Sequence, residues 1–101
     1  MKRIEHYQPP TAADLARLKD QLGFTSPQMA DLAGLAQGAQ WRKYTGGAQP
    51  RELSPHMHFY MAALLTLTPE ELERVVCAMR EQGASVEVGP LPAGPSKISQ
   101  A

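Results

Sequence analysis

The sequence has a single cysteine, Cys77, so no disulfide can form within the chain, and a reducing cytoplasmic setting is expected. It has no charge excess. Ten basic and ten acidic side chains cancel, which removes any bulk electrostatic argument for nucleic acid or an anionic membrane. Long apolar runs are missing too. The stretch through Met61–Leu65 falls far short of the ~20 residues that a bilayer-crossing helix needs, and no apolar signal core follows Lys2 and Arg3. A soluble protein with no membrane partner is expected. There is no glycine-rich phosphate loop, no nucleophile elbow and no placed carboxylate pair, so neither an enzyme nor a cofactor is expected. His56 and His58 with Cys77 make a poor metal set. Residues two apart on a helix point ~200° apart, and no second cysteine completes a zinc site, so no metal is expected.

What is present is unevenly placed. Residues 1–60 carry a net +2 and residues 61–101 a net −2. No acid occurs between Asp31 and Glu52, a window that holds Arg42, Lys43 and Arg51. The chain divides into an N-terminal arm (1–10), a helical domain (11–83) and a C-terminal extension (84–101). The arm ends in Pro9-Pro10 and reads as an extended, mobile terminus, with the alternative that Lys2 and Arg3 touch a DNA backbone. In the extension, Val86 and Val88 alternate with Glu87 as a possible short strand. The proline- and glycine-rich run after Gly89 reads as a flexible tail.

Five helices are expected, in an all-α fold. Thr11 with Asp14 caps a helix to about Leu22, whose Leu15, Leu18 and Leu22 face the core. Gly23 ends it and Phe24 folds back. Ser54-Pro55 starts a helix with an apolar stripe of Met57, Tyr60, Met61, Leu64 and Leu65. Thr68, Pro69 and Glu71 start the last one, with Leu72, Val75, Val76 and Met79 as its stripe. Cys77 reads as a small, partly buried residue of that helix.

Between them lie two short helices. Thr25 with Gln28 forms a capping box, Pro27 suits a first turn, and Met29, Ala30, Leu32 and Ala33 give an apolar side that Gly34 closes. The next helix puts Trp41 and Tyr44 on one face at i, i+3, and ends at Gly46-Gly47. Its other face carries Gln37, Gln40, Arg42 and Lys43. Arginine pairs with guanine and glutamine with adenine in a major groove, so this arrangement points to a DNA-reading helix-turn-helix. Gln40, Arg42 and Lys43 are candidates for base edges, and Ala39 for a thymine methyl. Ser26, Gln37, Thr45 and the following loop are candidates for phosphate contact. For Arg51 a phosphate grip and plain solvation both stand. Gly38 permits close backbone approach.

The run Trp41-Arg42-Lys43-Tyr44-Thr45-Gly46-Gly47 resembles the recognition helix of Xre/Cro-type helix-turn-helix proteins, over about residues 14–65. It is most similar to the phage and bacterial branch that includes anti-CRISPR-associated regulators. That branch has Glu where this chain has Thr45, and most Xre proteins have one residue fewer between Gly34 and Trp41. The resemblance implies sequence-specific binding of double-stranded DNA and transcriptional repression. One short helix reads only a few base pairs, so a homodimer is expected, with the last helix and Val86–Val88 as candidates for its interface. A second reading is a protein-interaction module, such as an antitoxin paired with a toxin, on the same scaffold. Residues 84–101 are a short segment for wrapping a toxin.

Overall fold

The structure, a computed structural model, describes residues 1–91. These form five helices and, among the described residues, no strand: α1 Ala12–Leu22, α2 Ser26–Ala33, α3 Gly38–Thr45, α4 Pro55–Thr66 and α5 Pro69–Glu81. Three of them begin at reciprocal caps. Thr11, Thr25 and Thr68 each accept from the backbone N–H three residues on, while Asp14, Gln28 and Glu71 reach back to the threonine N–H. Each box satisfies two donors that a helix start leaves open. The Thr11 hydrogen bonds hold the Asp14 carboxyl below its usual range, with Arg17 adding to this. Gly23 and Gly34 end α1 and α2 in the left-handed region, at φ 70° and 78°, where a side chain is strained.

The core lies around α2. Leu15 of α1, Met29, Ala30, Leu32 and Ala33 of α2, Trp41 and Tyr44 of α3 and Met61 of α4 are buried together with Phe24 and Leu53 of the connecting segments. The most extensive helix pairing is α2 with α3, and α1 packs on α3 and α4 on α2. At Gly38 the first turn of α3 meets the first turn of α2: a Cβ there would lie 3.0 Å from the Pro27 backbone nitrogen. A side chain would push the two helices apart.

The stripes on α4 and α5 are less buried than their periodicity predicts. Met57, Met61 and Leu64 pack inward, but Tyr60 and Leu65 are exposed, as is Phe59 at 60 %. Tyr60 nonetheless lies over the α2–α3 turn, its Cε2 3.6 Å from where a Cβ on Gly34 would stand. On α5 only Val76 is buried; Val75 and Met79 are 48 % and 41 % exposed, and Cys77 is exposed rather than partly buried. The helix makes only marginal contact with the other four, so its apolar face finds too little surface to cover it.

One expectation for the ends is corrected. Val86–Val88 forms no strand among the described residues; instead the Val86 carbonyl accepts from Nε and Nη2 of Arg80, at 3.2 and 3.1 Å. Arg80 also binds Glu73 at 2.8 Å, which lowers the carboxyl's pKa. The arm is docked at Tyr7, while residues 1–6 are exposed. Tyr7 donates its hydroxyl to the Leu53 carbonyl at 2.9 Å, across 46 residues of chain. The tail expected after Gly89 falls largely on residues 92–101, outside the described residues.

Candidate nucleic-acid interface

α3 is held from within. Trp41 is 0 % exposed and Tyr44 is buried beside it, their ring centroids 6.1 Å apart. With the face through Gly38, Trp41 and Tyr44 fixed against α1 and α2, the 3.6-residue repeat turns Ala39, Gln40, Arg42 and Lys43 outward. All four are exposed. The aromatic pair therefore acts as an anchor, and the polar residues form the presented surface.

Each end of α3 gathers further candidates. At its N-terminus, Gln37 is the cap residue, and the approach at Gly38 brings the backbone of Ser26, 3.2 Å from the ideal Cβ, next to it. At its C-terminus, the Arg51 N–H donates to the Lys43 carbonyl at 2.8 Å, and the Arg51 guanidinium stands 5.9 Å from the Tyr44 ring centroid. This cation–π contact fixes where the charge sits while leaving it exposed. Thr45 is half-buried in the last turn. Ser26, Gln37, Ala39, Gln40, Arg42, Lys43, Thr45 and Arg51 thus occupy or flank one short helix.

Gln40 does something its position in the sequence does not announce. Its Oε1 accepts from the backbone N–H groups of Ala36, at 2.9 Å, and Gln37, at 3.0 Å. The side chain folds back to cap its own helix. A paired contact with adenine uses both the oxygen and the nitrogen of the amide. With the oxygen engaged, Gln40 presents only its NH₂, as a donor. Arg42 and Lys43 are left as the side chains whose full donor sets face outward.

Tyr7 is the residue that sequence reasoning missed. Its hydroxyl has one proton, and that goes to Leu53; the contact with His58 Nδ1 at 3.1 Å is therefore made by an Nδ1–H donating to the phenol oxygen. The rings meet edge to face at 5.8 Å. Burial first, and the nearby Glu52 carboxylate second, raise the phenol pKa above its ordinary value near 10. No local signal marks the residue, because both partners lie far along the chain.

Among the described residues no three His, Cys, Asp or Glu side chains converge as metal ligands, and no helix is long and apolar enough to cross a membrane. The cleft between Pro9-Pro10 and residues 50–52, near the end of α3, is open and holds about 250 Å³. No protein-family model, curated protein or solved structure matches the chain.

Proposed function

We propose that this chain is a sequence-specific binder of double-stranded DNA, a helix-turn-helix protein of the Xre/Cro kind that acts as a transcriptional repressor. The observation that carries the reading is the two-sidedness of α3. Its inner face is pinned by the buried Trp41 and Tyr44, and its outer face presents Arg42 and Lys43 in a window without acids. A rigid helix with outward cations is what a major groove of about 12 Å accepts. In this reading α3 lies in that groove. Arg42 and Lys43 address base edges or phosphates, Gln40 donates through its NH₂, and Ala39 meets a thymine methyl. Ser26, Gln37, Thr45 and Arg51 hold the flanking phosphates.

A helix of eight residues spans only a few base pairs, and the chain is neutral. One copy has neither the readout nor the charge for tight binding, so the reading includes a symmetric dimer on half-sites about 34 Å apart. The exposed apolar residues of α4 and α5 supply its contact surface.

Selection of duplexes from a random pool, followed by titration of wild type and Arg42→Ala, tests the proposal. Loss of one good base contact removes about 1–3 kcal/mol of discrimination. Arg42 is exposed, so the melting temperature should not change. A wild-type chain that selects no sequence, and holds the selected and scrambled duplexes equally, overturns the reading. Recovery of a stable protein partner in its place would favour the interaction-module reading.

A further inference from the structure

The arm that the sequence leaves mobile is docked at one point, and that point lies on the flank of the proposed DNA-reading helix. Tyr7 is bonded to Leu53 and touched by His58. Pro9 and Pro10 line a cleft with Pro50, Arg51 and Glu52. Arg51 is in turn bonded to the last turn of α3 through the Lys43 carbonyl. The chain bends at His6, whose φ of 57° lies in the left-handed region that a residue with a side chain rarely adopts. Residues 1–5 leave the domain from that bend and are exposed.

We infer that residues 2–7 form a second DNA-binding element, with Tyr7 as its hinge-side anchor and Lys2 and Arg3 as phosphate contacts beside the half-site read by α3. The inference rests on the DNA-binding reading of α3. Reach allows it. Lys2 lies four residues before the bend at His6, and an extended chain covers at most about 3.3–3.6 Å per residue, so Lys2 reaches up to roughly 14 Å from the bend, on the scale of the ~12 Å width of a major groove. Charge allows it as well. Lys2 makes no ion pair among the described residues. Arg3 is bound to Glu5 at 2.9 Å, but both side chains are exposed, and a phosphate exchanges for such a partner at little cost. The anchor matters because a tether holds the cations near the duplex at a high effective concentration.

The test is the salt dependence of binding to the selected duplex, measured on the full chain, on the Lys2→Ala/Arg3→Ala double variant and on Tyr7→Phe. Each phosphate contact contributes about 0.9 to the slope of log K against log salt. The double variant should lose close to two such contacts, so that between 50 and 200 mM salt the wild type loses about tenfold more affinity than the variant. Its preferred sequence and melting temperature should stay those of the wild type. Tyr7→Phe, which keeps the ring but not the bond to Leu53, should lie between the two. Unchanged slope and affinity in the double variant overturn the arm's role while leaving the reading of α3 intact. A wild-type chain with no preference for any duplex overturns both.

Discussion

Trp41 is the largest fully buried side chain in the protein. Its indole Nε1 has no protein acceptor among the described residues. A buried donor left unmet costs roughly 1–3 kcal/mol, so the residue holds its place through contact area alone. Its two substitutions should therefore differ. Trp41→Ala removes the contact area and leaves a cavity, at a cost of about 3–5 kcal/mol. Trp41→Phe keeps part of the area and removes the unmet donor, so it should cost clearly less. Urea unfolding followed by circular dichroism measures both. Equal losses would mean that contact area is not what holds the residue in place. An unchanged midpoint with lost DNA binding would place the indole on the DNA side and reverse the orientation of α3.

At the scale of the element, the α2–α3 pair depends on Gly38. Replacing a helical glycine with alanine ordinarily gains up to about 1 kcal/mol. Here the added Cβ would stand 3.0 to 3.2 Å from backbone atoms of Pro27 and Ser26, which cannot swing aside. Overpacking of this kind costs about 1–3 kcal/mol, so it should outweigh the propensity. Gly38→Ala is expected to lower the thermal midpoint and to weaken DNA binding by tilting α3. A raised midpoint with wild-type binding would show that the helices part freely. The contrast between Gly38 and Gln40 explains what was legible in the sequence. The caps at Thr11, Thr25 and Thr68, the stops at Gly23 and Gly34, and the aromatic anchors depend on residues within four positions of each other, and all appear as read. The fold-back of Gln40 is local but ambiguous, since an amide can face solvent or its own helix and only the turn geometry selects. The Tyr7 bond to Leu53 is invisible because it spans 46 residues. Tyr60 and Leu65 mislead for a different reason: periodicity shows which side of α4 is apolar, not how far its neighbours extend to cover it.

For the whole molecule, the outstanding feature is the apolar side chains left uncovered on α4 and α5: Phe59, Leu65, Val75 and Met79 are exposed, and α5 makes little contact with the other helices. Fully burying such a side chain contributes about 1.5–3 kcal/mol. These residues are roughly half exposed, so each could add on the order of 1 kcal/mol in a contact between copies. Association costs an estimated 4–15 kcal/mol in lost freedom. A dimer built on these side chains should therefore be weak in free solution and strengthened when two half-sites of one duplex hold both copies. Sedimentation equilibrium at micromolar protein, with and without a palindromic selected duplex, is expected to show mostly monomer alone and two chains per duplex. Val75→Glu/Met79→Glu places charges where the copies meet and should reduce the complex to one chain per duplex, with helicity retained because both positions are exposed. A chain ending at Gly83 separates the contribution of Val88 and of Val86, whose carbonyl Arg80 holds beside α5. If the full chain stays monomeric on the palindrome, or the double variant still binds two per duplex, the exposed residues of α5 are not where the copies meet.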